Sequence, residues 1–204
     1  MSKKVKIAVL VSGGGTNLQA IIDYAKAGKL SEGEIVKVIS SKENAYALTR
    51  ANKAGIKGAV VIKKGKTQQE FEQGIINELN ECGAEVIVLA GFMSILSKDF
   101  TDRYVNRIIN VHPALIPSFC GEGFYGLKVH EKALEYGVKV TGATVHFVNE
   151  VADGGKIIMQ KAVPIKDGDT PEILQKRVME QAEWKILPKS LKQVCKMIIK
   201  GEIK

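Results

Sequence analysis

The sequence predicts an α/β protein with a central, mostly parallel twisted sheet flanked by helices. Apolar segments rich in β-branched residues, such as residues 5–11 and 86–90, alternate with segments whose apolar residues recur at helical spacing. Strands that alternate with helices are typical of right-handed βαβ units, which build parallel sheets. A parallel strand is covered on both faces and is therefore apolar at almost every position, as these two segments are.

The first half of the chain supplies this alternation element by element. Predicted strands cover residues 5–11, 35–40, 59–62, 86–90 and 107–111. Predicted helices lie between them at residues 18–27, 45–54 and 67–82, and a short helical stretch precedes the last of these strands. Gly28 follows the first helix, as glycine commonly does at a helix end.

The pattern changes after the strand at residues 107–111. Residues 113–126 predict a loop, since they hold two prolines and three glycines, and a helix follows at residues 128–136. Residues 140–148 and 156–163 predict an antiparallel pair of strands around the turn 149–155. Thr170 and Pro171 begin a helix as N-cap and first residue; it continues to Ile186, pauses at Pro188 and resumes to about residue 200. With no linker, we expect a single domain over residues 1–204.

Composition limits the classes of partner. The net charge is +8, but the lysines are scattered, and without a nucleic-acid-binding motif we expect no nucleic-acid partner. A phosphorylated or polycarboxylate substrate is compatible with this charge. The three cysteines are far apart, which predicts neither disulfides nor a metal site. Apolar runs fall short of the ~20 residues of a membrane span, and the first residues do not resemble a signal peptide, so we expect a cytoplasmic protein without membrane contact.

A glycine-rich loop, residues 12–17, connects the first predicted strand to the first predicted helix. Free backbone N–H groups and the helix dipole form an anion site at such a junction. Thr16 and Asn17 add side-chain donors. The loop matches neither the dinucleotide fingerprint nor the Walker loop, so a small phosphate group is the better fit. The alternative is a tight turn without a ligand.

A second loop, residues 90–96, follows the predicted strand at 86–90, on the side where open α/β sheets bind ligands. An apolar loop with free backbone amides suits a flat heterocycle that forms hydrogen bonds. The alternative is ordinary packing between a strand and a helix.

Asn110, His112 and Asp153 form a set suited to acyl transfer. Asn110 and His112 are two positions apart at a strand end, so their side chains point to the same side. An amide and an imidazole stabilise a developing oxyanion, the imidazole also moves a proton, and a carboxylate orients it. As alternatives, His112 has a structural role and Asp153 holds a turn before two glycines; His146 fits a packing or supporting role.

Taken together, these motifs resemble the folate-dependent phosphoribosylglycinamide formyltransferase family of purine synthesis over essentially the whole chain. The matching segments are residues 12–17, 89–93, 110–113 and 142–148 continuing to 153–155. The resemblance implies one Rossmann-like formyltransferase domain whose antiparallel C-terminal half contributes to a folate site. It implies transfer of the formyl group of 10-formyltetrahydrofolate, as co-substrate, to the amine of glycinamide ribonucleotide, without a metal, in a monomer or homodimer.

The resemblance also assigns residues. The catalytic residues it implies are Asn110, His112 and Asp153, with Asp153 raising the pKa of His112 and the protonated imidazole stabilising the oxyanion. It places glycinamide ribonucleotide against Gly15, Thr16, Asn17 and Glu183. It places the folate against Met93, Ser94, Ile95, Leu96, Asn110, Val148 and Asp153.

The chain departs from the family pattern in places. Ser94 and Gln68 stand where relatives often carry arginine, and Lys64 or Lys66 is a substitute for contacts to the folate glutamate tail. The segment at residues 118–126 is longer than the corresponding segment of some relatives and is a candidate for a lid. Within it, Cys120 is expected to be a bystander thiol. The alternative activity is hydrolysis of 10-formyltetrahydrofolate. We expect an N-terminal regulatory domain in such hydrolases and a C-terminal RNA-binding domain in tRNA formyltransferases, and this sequence suggests neither.

Overall fold

The computed structural model describes residues 3–203, so residues 1, 2 and 204 of the predicted domain lie outside the described part. The strands are β1 (Val5–Val11), β2 (Gly33–Ser40), β3 (Lys57–Val60), β4 (Val86–Leu89), β5 (Ile108–His112), β6 (Val140–Phe147) and β7 (Ile157–Pro164). The helices are α1 (Thr16–Lys26), α2 (Tyr46–Lys53), α3 (Gln68–Cys82), α4 (Lys98–Arg103), α5 (Leu127–Tyr136), α6 (Pro171–Val178) and α7 (Trp184–Ile199), with a π-helical turn (Met179–Glu183) between the last two.

The seven strands form one sheet in the order β3-β2-β1-β4-β5-β6-β7. Strands β1 to β5 pair in parallel, whereas β6 runs antiparallel to both β5 and β7. The predicted fold class is therefore confirmed, including its antiparallel C-terminal part.

Strand β1 lies at the centre of the hydrophobic core. Its side chains point alternately to the two faces of the sheet. Val9 and Val11 join a cluster with residues of α1 and α7, and Leu10 joins a second cluster with residues of α3. Because helices cover both faces, the strand is apolar at nearly every position, which explains the run that predicted it.

Several boundaries differ from the predictions by one or two residues, and two differences have a clear cause or consequence. Strand β3 begins at Lys57 rather than residue 59, because this edge strand starts with an exposed lysine and a glycine that give no apolar signal. The predicted pause at Pro188 is wrong, since α7 continues through it. Proline leaves the carbonyl four residues earlier without its partner. That residue is Trp184, the first of α7, and the π-helical turn ends immediately before it.

Gly142 in β6 packs against the neighbouring strand. A Cβ added there would lie 2.1 Å from the carbonyl oxygen of Lys161 in β7. The backbone of β7 cannot move aside as a flexible side chain can, so an added Cβ would force the two strands apart locally.

We predict that Gly142→Ala lowers the free energy of unfolding by about 1–3 kcal/mol, the usual range for overpacking. Thermal and denaturant unfolding measure this change. Gly14→Ala is the matched control, because nothing lies within 4 Å of the added Cβ and the backbone is not left-handed. Equal stability of the two variants would contradict the packing assigned to β6 and β7.

Candidate active site

The candidate site lies where the carboxyl ends of three adjacent parallel strands meet. β1 pairs with β2 on one side and β4 on the other, and β5 follows β4. Strands β2 and β3 are added on one side of β1, and the later strands on its other side. Open α/β sheets bind ligands in the crevice at such a switch point. The backbone N–H of Met93, after β4, donates to the Ser12 hydroxyl, after β1, at 3.0 Å. The two predicted ligand loops are thus in direct contact.

His112 and Asp153 form a partly buried pair at the end of β5. The Nδ1 atom of His112 lies 3.4 Å from Oδ2 of Asp153, and their side chains are 5% and 13% exposed. The predicted pair is therefore brought together, although 41 positions separate its members. Its exposure is small enough that solvent screens it only weakly.

The hydrogen bonds of His112 define its tautomer. Nε2 lies 2.8 Å from the carbonyl oxygen of Phe119, and only a protonated nitrogen can donate to that acceptor. In a neutral ring, Nδ1 is then unprotonated and faces the Asp153 carboxylate. A proton added to Nδ1 would be held between imidazole and carboxylate, so the pair is built to accept one.

Burial lowers the pKa of His112 below its ordinary 6.5, and this outweighs Asp153 and the Phe119 carbonyl, which both raise it. The expected effect of Asp153 has the predicted sign but does not dominate. The free protein therefore holds a neutral imidazole at neutral pH. A protonated His112 has to arise during the reaction.

The Asp153 carboxylate stays ionised. Burial acts to raise its pKa, but the pKa is lowered overall, and the Gly121 N–H is the donor that favours the charged form with the tautomers assigned to the two histidines. Gly121 donates to Oδ2 at 2.9 Å. Asp153 adopts a left-handed backbone with φ 56°, and Gly155 follows where a Cβ would lie 1.7 Å from the carbonyl oxygen of Phe147. The turn at residues 153–155 is therefore tight, and a side chain at position 155 would clash with the backbone of Phe147.

Asn110 is oriented by the strand beside it. It lies opposite His146 in the β5–β6 pairing, and its Nδ2 is 3.2 Å from Nε2 of His146. Nδ1 of His146 lies 2.8 Å from the Phe147 carbonyl, so it donates there and leaves Nε2 to accept from Asn110. The second N–H of the Asn110 amide remains available for an oxyanion.

The loop after β1 has the form of an anion site. Gly15 is the N-cap of α1 and has a left-handed backbone with φ 71°. A Cβ there would lie 2.6 Å from Cβ of Ala47, so α2 packs closely against the loop. The first N–H groups of α1, beginning with Thr16, have no partner within the helix. Arg50 of α2 adds a guanidinium and donates from Nε to the Gly14 carbonyl at 2.8 Å.

Glu183 meets Asn17 beneath this loop. Nδ2 of Asn17 donates to Oε2 of Glu183 at 2.7 Å, although the residues are 166 positions apart. Burial raises the pKa of Glu183 to about 7, against the Asn17 hydrogen bond, which lowers it. Oδ1 of Asn17 is buried without a partner within residues 3–203. The carboxyl stands in the π-helical turn, a feature that often marks functional sites.

The loop after β4 carries exposed apolar side chains. Met93 is 55% and Ile95 73% exposed, whereas Leu96 is buried under the loop. Ser94 is half-buried. Val148 follows β6, packs against the core cluster beside this loop, and donates from its N–H to the Ile108 carbonyl at 2.9 Å. Four of the predicted folate residues thus lie in one loop, and Val148 packs beside it.

The sequence analysis missed two features of this site. The loop at residues 118–126 supplies two backbone contacts to the His112–Asp153 pair, from Phe119 and Gly121. Arg50 lies under the loop after β1. His146 contacts Asn110, which fits the supporting role that the sequence suggested for it. Any residue type can make a backbone contact, so the sequence carries no signal for the contacts of Phe119 and Gly121. The position of His146 did have a signal. It lies two positions from Thr144, so these two side chains share a face of the strand, and Phe147 points to the opposite face.

Cys120 lies between the two backbone contacts. Burial and Asp153 raise its pKa, so it stays a thiol. Its Sγ lies 3.3 Å from the Pro117 carbonyl. Among the described residues, no group of three or more His, Cys, Asp or Glu side chains is arranged to hold a metal ion. In the same part of the chain, no helix is both long enough and apolar enough to cross a membrane.

Comparisons with known proteins agree with this geometry. A family model described as "Formyl transferase" matches residues 5–191. Phosphoribosylglycinamide formyltransferase of Haemophilus influenzae is 43% identical over 188 residues, which cover 92% of this chain and 85% of that protein. The trifunctional purine biosynthetic protein adenosine-3 of Gallus gallus is 46% identical over 195 residues, 95% of this chain, but the chain spans only 19% of that longer protein.

The fold is shared with solved structures as well. Glycinamide ribonucleotide transformylase 1 from Symbiobacterium toebii superposes with a TM-score of 0.88 at 38% identity, covering 95% of this chain and 88% of that one. The matches run through every segment that forms the candidate site. This chain therefore belongs to the formyl transferase family and, within it, to the phosphoribosylglycinamide formyltransferases.

Proposed function

We propose that this protein transfers the formyl group of 10-formyltetrahydrofolate to the amine of glycinamide ribonucleotide. The observation that carries the proposal is the buried pair of a neutral His112 and an ionised Asp153, placed between a phosphate loop and an apolar loop. One relative is named a phosphoribosylglycinamide formyltransferase and another a purine biosynthetic protein, and both names support this activity. No side-chain nucleophile is needed, since the substrate amine attacks.

The first step forms a bond between the amine nitrogen and the formyl carbon. The nitrogen becomes positively charged and the formyl oxygen negative, so a proton must leave the nitrogen. The unprotonated Nδ1 of His112 accepts it, directly or through water, and the Asp153 carboxylate stabilises the resulting imidazolium.

The oxyanion requires donors that are already in place. Asn110 offers its free N–H, and the Nε2–H of His112 is engaged by the Phe119 carbonyl in the free protein. The oxyanion would replace that carbonyl as acceptor. The intermediate then breaks its bond to N10 of the folate, and N10 takes up the proton that the amine released.

The two loops divide the substrates between them. The N–H groups at the start of α1, with Thr16, bind the ribose phosphate, and Asn17 with Glu183 binds the rest of the ribonucleotide. Residues 93–96 and Val148 bind the folate, with Asn110 and Asp153 at its reactive end. Holding both substrates at contact distance supplies a large share of the rate.

Hydrolysis of 10-formyltetrahydrofolate is the second candidate, because water can replace the amine at the same residues. A product assay separates the two: a transferase forms tetrahydrofolate and formylated ribonucleotide only when glycinamide ribonucleotide is present. Tetrahydrofolate released at the same rate without the acceptor would establish the hydrolase and contradict our proposal.

We also propose that the reaction needs no metal, that its partners are the two small substrates rather than nucleic acid, and that it takes place in the cytoplasm in a monomer or homodimer. The donors assigned above account for every charge that develops. A metal chelator should therefore leave turnover unchanged, and a loss that added divalent metal restores would contradict this.

Replacing a member of the catalytic pair should abolish most turnover. We expect His112→Ala and Asp153→Asn to lower kcat by about 10²–10⁴-fold, the usual contribution of general acid–base catalysis. Binding of glycinamide ribonucleotide should persist, because the loop after β1 and Glu183 are intact. Asp167→Asn is the control, as it removes one exposed carboxylate elsewhere. Turnover within a few-fold of the wild type in His112→Ala would refute the assigned role.

The protonation of His112 can be measured directly, since the chain has only three histidines. Nuclear magnetic resonance titration should place the pKa of His112 below 6.5, because burial disfavours the charged ring. Asp153→Asn removes a negative charge that raises this pKa, so it should move lower still. Asp167→Asn should leave it in place. A pKa above 6.5 in the wild type would contradict the burial effect assigned to this ring.

Glu183 should make stability depend on pH. Its folded pKa of about 7 lies above the ordinary 4.5, so its contribution is full below pH 4.5 and is lost as the pH rises through 7. Glu183→Gln keeps the acceptor for Asn17 but cannot ionise. We predict that it becomes more stable than the wild type as the pH rises, by on the order of 3 kcal/mol above pH 7.

Denaturant unfolding at several pH values measures this difference. Glu180→Gln, at an exposed position of the same π-helical turn, should follow the wild type at every pH. If Glu183→Gln also followed the wild type, Glu183 would be ionised in the folded protein at neutral pH.

A further inference from the structure

We propose that Gln68 and Glu72, on the first turns of α3, are positioning residues for the formyl-donating folate. They hold the backbone of residues 93–97 in the shape that receives the heterocycle. The inference rests on the proposed function, since it assigns the folate to this loop. Neither residue is expected to touch the reacting atoms.

Glu72 fixes the end of the loop. Its carboxylate accepts from the backbone N–H of Ser97 at 2.6 Å and from the Ser97 hydroxyl at 2.5 Å. Ser97 in turn caps α4, since its Oγ accepts from the Phe100 N–H at 3.2 Å. The loop therefore leaves the site at one defined point between α3 and α4.

Gln68 fixes the middle of the loop. Its amide nitrogen donates to the Ile95 carbonyl at 3.0 Å and to Oε1 of Glu72 at 2.6 Å. The two side chains stand four positions apart on one face of α3, so one helix presents both contacts. Fixing the Ile95 carbonyl also fixes the peptide plane shared with the Leu96 N–H.

The burial of Glu72 distinguishes this arrangement from ordinary surface contacts. Glu72 is 6% exposed, and within residues 3–203 no Lys or Arg nitrogen lies within 4.0 Å of its carboxylate. Removing a carboxylate from water without a counter-ion is costly, and hydrogen bonds from Gln68 and Ser97 have to offset that cost. A serine caps a helix without such help. The carboxylate is therefore needed for the loop rather than for α4.

The outward face of the loop explains what the rigid backbone is for. Met93 and Ile95 expose their side chains while the chain beneath them is held at three points, by Ser12, Gln68 and Glu72. A loop without regular structure otherwise loses conformational entropy when a ligand binds. Anchoring it beforehand removes that cost and raises affinity for the ligand of this loop alone.

The test compares Michaelis constants for the two substrates. Gln68→Ala removes the donor, and Gln68→Glu keeps the shape but puts an acceptor against the Ile95 carbonyl. We expect both to raise KM for 10-formyltetrahydrofolate by about 3–10-fold, the equivalent of one lost hydrogen bond. KM for glycinamide ribonucleotide and kcat should stay close to the wild type, whereas the thermal midpoint should fall in both variants, because the buried Glu72 carboxylate loses a donor and, in Gln68→Glu, faces a second carboxylate.

Gln73→Ala is the matched control, because Gln73 donates to Asn77 four residues on in the same helix, at an exposed position at 2.8 Å. It should change neither KM. Glu72→Gln should act as Gln68→Ala does, but more strongly, since it weakens the Ser97 contacts as well.

Unchanged KM for the folate in both Gln68 variants, or an equal rise in both Michaelis constants, would overturn the inference. A wild-type protein that forms no formylated ribonucleotide would instead overturn the proposed function. The two failures are thus distinguishable in one set of assays.

Discussion

The burial of His112 against Asp153 is the constraint on which the rest of the site depends. Desolvation keeps the imidazole neutral, and the pKa of the carboxylate is lowered despite its own burial, with the Gly121 N–H donating to it. At neutral pH, the unprotonated Nδ1 of His112 can therefore accept a proton, and an attacking amine releases one. Formyl transfer suits this state, since in the mechanism we propose each turnover would deliver a proton to the pair and later return it to the leaving nitrogen.

The sheet brings this pair to the same edge as the two loops proposed to bind the substrates. Because β1, β4 and β5 are neighbours and parallel, their carboxyl ends bring the glycine-rich loop after β1, the apolar loop after β4 and the end of β5 into one crevice. The switch to antiparallel pairing at β6 then brings the 149–155 turn, and Asp153 with it, back over the end of β5. The mixed sheet is thus what joins residues 110, 112 and 153.

Much of this was predictable from the sequence, for identifiable reasons. Buried parallel strands are apolar throughout, and Asn110 and His112 share a side of a strand because they are two positions apart. The tautomer of His112 was not predictable, because it depends on a backbone carbonyl from Phe119. Its lowered pKa depends on burial, which a single sequence does not give. The path of α7 through Pro188 also escaped prediction, since a proline usually predicts a break and the helix tolerates this one in its second turn.

The most direct test of the central claim is single-turnover formation of formylated glycinamide ribonucleotide, by rapid quench with both substrates bound, from about pH 5 to about pH 9. If neutral His112 accepts the proton, the rate should rise with pH through the pKa of His112 in the complex and then reach a plateau. Asp153→Asn should be slow at every pH. A wild-type rate that falls as the pH rises through this range would show that the imidazole must begin the reaction protonated, and would contradict the account.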